Sequence, residues 1–163
     1  MSTPARRNIA ARLTELGITL PVVAAPVAAY VPAVRSGNQV WTAGQLPFEE
    51  GKLAVTGKVG TGKPNLVDPE VAAGLARTCA LNALAAIVAN VGSLDLITRI
   101  VKVTGFVASD PDFTGQPGVI NGASVLLGEI FGEVGIHARS AVGVSVLPLD
   151  APVELEMVVE LAH

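Results

Sequence analysis

The last quarter of the chain shows the clearest alternation of apolar and polar positions. In residues 153–161 one face carries three glutamates and Val158, and the other face is wholly apolar: Val153, Leu155, Met157, Val159 and Leu161. Residues 138–146 also alternate, with valines on one face and Arg139 on the other, and a turn with two prolines separates the two runs. Alternation predicts half-buried strands, so we expect these runs to form an antiparallel hairpin.

The register of this hairpin has consequences for its charged residues. Matching the apolar faces pairs Val146 with Val153, which places Arg139 opposite Glu160 as a cross-strand ion pair. It also places Arg139 about 20 Å from Glu154 along the sheet, on the face away from the helices. That face is either solvated or packed against another subunit, because its small residues allow close approach. In the second case Arg139 and Glu154 meet only across a subunit boundary.

Helical spacing dominates the middle of the chain. Asp68 and Pro69 begin a long apolar helix that Gly92 ends, and a second helix covers residues 116–131. A strand at 97–107 separates them, short strands are expected near 39–43 and 53–55, and a short helix from Thr3-Pro4 ends at Gly17. The order predicts an α+β fold, a mixed six-stranded sheet with two helices packed on one face. We expect a single domain over 1–163, in which 1–29 form the helix and an extended proline-rich segment and 30–163 the core.

Composition narrows the classes of function. Half of the residues are hydrophobic and only 15% are charged, which favours an oligomer. A net charge of -3 without a basic stripe argues against nucleic acid as a partner. One cysteine and two histidines exclude an internal disulfide and make a metal site improbable. The prolines in the longest uncharged run, 18–34, argue against a membrane span, and without a secretory signal we expect a cytoplasmic protein.

Residues 57–63 match the phosphate-binding pattern G-x-x-x-x-G-K. The next residue, which should supply a hydroxyl to magnesium, is Pro64, and the helix signal begins only near Asp68. A phosphate loop needs its helix to begin at the lysine. We therefore favour a glycine-rich surface loop.

Several short motifs, in matching order, resemble the YjgF/RidA family of reactive-intermediate deaminases. They are TAGQLP at 42–47, GFV at 105–107 followed by DF at 112–113, VIN at 119–121, ARSAV at 138–142 and VELE at 153–156. The N-terminal helix and the proline-rich segment resemble a longer subgroup of that family. The resemblance covers residues 30–161 and implies a chorismate-mutase-like fold, a homotrimer and ligand clefts between subunits. It also implies hydrolysis of 2-imino acids to 2-oxo acids and ammonia, without metal or cofactor.

The resemblance assigns roles to individual residues. Arg139 matches the arginine that binds the substrate carboxylate, and a guanidinium suits that role because it donates two parallel hydrogen bonds. Glu154 matches the glutamate that handles the attacking water. Tyr30 matches the aromatic residue of the cleft, Asn121 the asparagine of the second helix and Gly44 the turn glycine after the early strand.

Two positions depart from the family pattern. Ala141 stands where a cysteine is usual, two residues after the arginine, and Ala43 stands in place of a small hydroxyl residue. If the backbone at Ala141 binds substrate, the alanine is harmless; if a thiol tunes the substrate, activity or substrate range changes.

The alternatives lie in other classes of function. The first is a trimeric protein that binds small carboxylic metabolites without catalysis, and a ribonuclease is disfavoured by charge. For single residues, the alternatives are the ion pair of Arg139 with Glu160 and a solvated Glu154.

Overall fold

A computed structural model describes residues 8–23 and 29–162. In these residues two long helices cover one face of a five-stranded sheet, and a separate two-stranded sheet lies beside it. The helices are α1 (Ile9–Glu15), α2 (Pro69–Val91) and α3 (Gln116–Phe131). The strands are β1 (Ala33–Ser36), β2 (Gln39–Thr42), β3 (Phe48–Glu49), β4 (Lys52–Leu53), β5 (Ile97–Ala108), β6 (Ala138–Val144) and β7 (Val153–Leu161).

The two long helices begin and end where the sequence predicts. The Asp68 side chain accepts a hydrogen bond from the backbone N–H of Glu70 at 2.7 Å, and Gly92 ends α2 with a φ of 89°. By length and composition α2 would suit a membrane span, but it packs against α3 and β7 as the central core helix. A Cβ atom at Gly122 of α3 would overlap the carbonyl oxygen of Ala73, so the two helices touch backbone to backbone.

The α+β class, the mixed sheet and the placement of both helices on one face are confirmed. The predicted count of six strands is wrong, because the large sheet has the order β1-β2-β7-β5-β6 and β3 pairs only with β4. All neighbours in the large sheet are antiparallel except β5 and β6. Its buried side chains lie under α2 and α3, among them Val40, Val103, Leu155 and Val159.

The predicted terminal hairpin is wrong. Strands β6 and β7 exist, but β5 lies between them, parallel to β6 and antiparallel to β7. The end of β5 is held by both neighbours: Ala108 N–H donates to the carbonyl of Pro152, and Ser109 N–H donates to that of Val144. Alternation fixes the two faces of a strand but says nothing about its partner, so the turn with two prolines was compatible with either connection.

The faces of β6 are consequently reversed. Arg139 lies beside Val103 of β5 and faces the helix side, whereas Glu160 lies between Gln39 and Arg99 and accepts from the Asn38 side chain. The ion pair of Arg139 with Glu160 is therefore wrong. Ser140, Val142 and Val144 point to the open side of the sheet.

The N-terminal helix docks against the helical layer. Asn8 caps α1, Ile9 and Leu13 are buried, and Gly17 follows the helix with a φ of 66°. The backbone N–H of Ile9 donates to the Asp95 side chain at 2.7 Å. The predicted start at Thr3-Pro4 and part of the proline-rich segment lie outside the described residues.

Candidate functional site

Arg139 occupies a polar corner between the edge strand β6 and helix α3. Its Nη1 atom donates to Oδ1 of Asn121 at 2.8 Å and to Oγ of Ser124 at 3.2 Å. Asn121 and Ser124 are three residues apart on α3, so they share one face of the helix. Ala141 follows Arg139 on the same side of β6 and packs against the core. The predicted residues Arg139, Asn121 and Ala141 are thus brought together.

His137 completes this corner. Its Nδ1 atom lies 2.6 Å from the carbonyl oxygen of Gly135, and its Nε2 atom lies 3.0 Å from Oγ of Ser124. A carbonyl oxygen only accepts, so Nδ1 carries the hydrogen and Nε2 of the neutral ring accepts from the serine hydroxyl. The hydrogen bonds therefore run in one direction, from Arg139 to Ser124 to His137.

The surroundings of His137 favour the neutral form of its ring. Burial lowers the pKa of His137, and the positive charge of Arg139 lowers it further, although the hydrogen bond to Gly135 acts in the opposite direction. The neutral ring matches the hydrogen-bond directions inferred from the distances.

Arg139 has no carboxylate partner among residues 8–23 and 29–162. Within the same ranges its hydrogen bonds use only Nη1, which leaves the donors on Nε and Nη2 available. A half-buried guanidinium that neutral groups hold in place is suited to bind an anion with two parallel hydrogen bonds.

Glu154 and Gly44 form a second group on the open side of the sheet. A Cβ atom at Gly44 would overlap Oε1 of Glu154, so the glycine is required for the carboxylate to lie against the backbone. Burial raises the pKa of Glu154, and the nearby charge of Glu156 raises it further. Such a carboxylate takes up a proton more readily than an exposed one does.

Tyr30 lies in the segment that leads into β1, and its side chain is 53% exposed. The backbone N–H of Ala43 donates to the carbonyl of Pro32 at 2.8 Å, which holds this segment beside the end of β2 and near Gly44. The segment that contains Tyr30 therefore lies at the β1 edge of the sheet, and Arg139 lies on β6 at the opposite edge.

The two groups do not meet within one chain. Along β5, Arg139 lies beside Val103 and Glu154 beside Phe106, and the two side chains point to opposite sides of the sheet. Their Cα atoms are separated by two strand spacings across the sheet and by three residues along it, which gives a distance of roughly 14 Å. This is less than the roughly 20 Å expected from the predicted hairpin. The opposite directions still prevent them from holding one small ligand together.

Sequence reasoning missed Ser124 and His137. Two signals were available: Ser124 follows Asn121 by three residues on a helix, and His137 precedes Arg139 by two residues, which is the repeat of a strand face. These spacings indicate a shared site only when it is known that α3 packs on β6.

The open side of the sheet bears a shallow depression of about 380 Å³. Its lining includes Trp41, Lys102, Thr104, Glu156 and Val158. The Trp41 side chain is 52% exposed, and Val34 and Val142 on the same side are exposed as well. Exposed apolar side chains on one side of a sheet, here interspersed with Lys102, Thr104 and Glu156, are typical of a binding or subunit interface.

Two other candidates from the sequence have structural roles. Residues 57–63 form a loop in which Lys63 binds the carboxylates of Asp110 and Asp112 at 2.7 and 2.9 Å, and α2 begins only at Pro69. Cys79 is fully buried in α2, and burial raises the pKa of its thiol. No three His, Cys, Asp or Glu side chains converge to form a metal site in the part of the chain that the structure describes.

The fold is that of small α+β proteins in which two helices cover one side of a mixed sheet. The family described as "YjgF/chorismate mutase-like, putative endoribonuclease" matches residues 10–161. The chain belongs to this family.

Individual relatives extend over nearly the whole chain. Protein TCP17 of Trypanosoma cruzi is 46% identical over 162 residues, which cover 99% of both chains. The crystal structure of Atu1372 from Agrobacterium tumefaciens, a protein of unknown function, is 49% identical with a TM-score of 0.85 and covers 94% of this chain and 92% of that one. A structure called a "putative endoribonuclease" from Shewanella oneidensis is 32% identical with a TM-score of 0.88 and covers 95% and 100%.

Proposed function

We propose that this protein hydrolyses small 2-imino acids to 2-oxo acids and ammonia in a cleft between subunits. The observation that carries this proposal is the guanidinium of Arg139, which Asn121 and Ser124 hold in place and which lacks a carboxylate partner among the described residues. In this proposal Arg139 binds the substrate carboxylate, and Glu154 of a neighbouring subunit handles the water.

The separation of Arg139 and Glu154 supports a homotrimer with shared sites. A neighbouring subunit packed on the open side of the sheet would bury Trp41, Val34 and Val142, and would bring its own residues to the edge strand β6. The low share of charged residues supports the same arrangement.

The proposed chemistry needs one group that accepts and returns a proton. Water forms a C–O bond at the carbon of the protonated imine while Glu154 takes its proton, and the electron pair of the C=N bond moves to the nitrogen to give a neutral carbinolamine. The proton on Glu154 then passes to the amine nitrogen. A lone pair on the hydroxyl oxygen forms the C=O bond as the C–N bond breaks, ammonia leaves, and the hydroxyl proton goes to water. The raised pKa of Glu154 suits both steps, because the group must be a base first and an acid afterwards.

The test is a competition for freshly released imine. An amino-acid oxidase produces 2-iminopropanoate from alanine, and semicarbazide traps the imine as a semicarbazone that absorbs in the ultraviolet. We expect the purified protein to lower the rate of semicarbazone formation in proportion to its concentration. Unchanged trapping in the presence of the protein would contradict the proposal.

A non-catalytic binder of small carboxylates is the second candidate. It is favoured by one observation: the corner of Arg139 is complete within a single chain, whereas Glu154 points to the other side of the sheet. Such a binder would hold 2-oxobutanoate equally well after Glu154→Gln and would leave imine decay unchanged. A ribonuclease remains disfavoured by the net charge of -3.

A further inference from the structure

Arg139 is anchored at one corner of its guanidinium group. Within the described ranges of the chain both of its hydrogen bonds start from Nη1, at 2.8 Å to Asn121 and at 3.2 Å to Ser124. Nε and Nη2 lie on the opposite edge, where their N–H bonds are parallel and fit the two oxygens of one carboxylate. The groups that hold Nη1 therefore decide which way the binding edge faces. They also order the side chain before a ligand arrives, which lowers the entropy lost on binding.

Ser124 can hold Nη1 only if its own hydrogen points away from Arg139. A serine inside a helix normally points to solvent or donates to the carbonyl four residues earlier. Here Oγ lies 3.0 Å from Nε2 of His137, and Nδ1 of the same ring lies 2.6 Å from the carbonyl oxygen of Gly135. Since Nδ1 donates to that carbonyl, Nε2 accepts the serine hydrogen, and a lone pair of Oγ is directed to Nη1.

The backbone holds the His137 ring in place. Gly135 is buried, and a Cβ atom there would overlap the carbonyl oxygen of Leu127, so the Gly135 backbone lies directly against α3. Leu127 and Ser124 are three residues apart on that helix, about one turn. The contacts thus leave α3 at Leu127, pass through Gly135 and the imidazole, and return to α3 at Ser124. Support of this kind at both ends fixes a side chain that must orient another one.

We propose that His137 is a positioning residue for Arg139: acting through Ser124, it sets the direction in which Nε and Nη2 present their N–H bonds to a carboxylate. His137 itself touches no ligand in this role. Burial lowers the pKa of His137 and Arg139 lowers it further, so the neutral ring that accepts the serine hydrogen is the favoured form at neutral pH. The inference rests on the proposed function only in the binding of a carboxylate by Arg139.

The first experiment is calorimetric titration of the full protein with 2-oxobutanoate at pH 7.5. His137→Leu removes the acceptor and Ser124→Ala removes the connecting hydroxyl, and each should weaken binding about fivefold, the value of one hydrogen bond. The double variant should bind no more weakly than either single variant, because both act through the same contacts. Ser124→Ala also carries the test if His137→Leu does not fold.

Two further variants distinguish positioning from a general structural role. The side-chain oxygen of His137→Gln can accept from Ser124 but cannot replace the Nδ1 donor, and we expect this variant to bind like the wild type. Val125→Ala, at an exposed neighbouring position of α3, is the control. In an Arg139→Lys protein, which has no parallel donors to orient, His137→Leu should cause no further loss. A fivefold loss in that background, or losses that multiply in the double variant, would overturn the inference.

The second experiment needs no ligand, so it separates this inference from the proposed function. Nitrogen-15 NMR of the free protein measures rotation about the Cζ–Nη1 bond of Arg139, which hydrogen bonds to Nη1 slow down. We expect slow rotation in the wild type and in His137→Gln, and rotation several-fold faster in His137→Leu and Ser124→Ala. Unchanged rotation in His137→Leu would overturn the inference even in an active imine hydrolase. A protein that shows the expected rotation but binds no 2-oxobutanoate fails the proposed function and retains His137 as the positioning residue of Arg139.

Discussion

The neutral partners of Arg139 decide how its charge can be used. Asn121 and Ser124 orient the guanidinium without neutralising it, so the attraction for an incoming carboxylate is kept. An arginine paired with a carboxylate in its own chain would have to break that pair before it could bind a ligand.

This arrangement predicts different outcomes for two substitutions at Arg139. Arg139→Lys keeps the charge but loses the parallel donors, and we expect kcat/KM for imine hydrolysis to fall about tenfold, mainly through KM. Arg139→Ala should lower it about a hundredfold or more. Arg77→Lys, an exposed position on α2, is the control in the same steady-state assay. Equal rates in Arg139→Ala and the wild type would contradict the role of Arg139.

The half-buried carboxylate of Glu154 gives a second prediction at this scale. Its pKa in the folded protein is raised above the ordinary value of 4.5, so the unfolded chain releases this proton at lower pH than the folded protein does. The folded state is therefore disfavoured by Glu154 as pH rises from 4.5 through the raised pKa, and the effect persists at neutral pH. We expect Glu154→Gln to be more stable than the wild type at pH 7 and to lose this advantage near pH 4.

Urea unfolding of both proteins across pH 4–8 measures the effect. Glu133→Gln, at an exposed position, is the matched control and should leave the curve unchanged. An advantage of Glu154→Gln that grows toward acid pH would contradict the raised pKa.

At the scale of elements, α2 and α3 approach each other closely at Gly122. A methyl group there would overlap the backbone of Ala73, so Gly122→Ala should force α2 and α3 apart and lower the free energy of unfolding by about 1–3 kcal/mol. Gly128 lies in the same helix with open space around it, and Gly128→Ala should stabilise the protein by about 0.5–1 kcal/mol. Thermal unfolding of the two variants provides the comparison, and equal shifts would refute the close contact.

The elements also show how far the sequence can predict this fold. Caps and periodicity located α2, α3 and β5 almost to the residue, because Asp68, Gly92 and Gly132 act locally. Strands β6 and β7 both pair with β5 because the chain between them crosses the end of β5. No local sequence pattern predicts this crossing. The same gap explains the candidate site: motifs identified Arg139 and Asn121, whereas Ser124 and His137 become relevant only through the packing of α3 on β6.

At the scale of the whole molecule, the exposed apolar residues on the open side of the sheet predict an assembly. Trp41→Lys replaces an exposed apolar ring on this side with a charge, and we expect it to convert the proposed trimer into monomers and to abolish imine hydrolysis. Val71→Lys changes an exposed valine on α2, at the helical side, and should leave the trimer intact. Light scattering after size exclusion gives the mass of each variant. A trimeric Trp41→Lys protein with wild-type activity would place the interface elsewhere.

The claim that the site is shared between chains has the most direct test in mixed trimers. Arg139→Ala and Glu154→Gln proteins should each be inactive alone, and co-expression with two affinity tags yields trimers that contain both. In a cyclic trimer that contains both variants, one of the three interfaces joins an intact arginine on one chain to an intact glutamate on the other, so we expect about one third of the wild-type rate of imine hydrolysis. Mixed trimers as inactive as the separate variants would contradict a site between subunits.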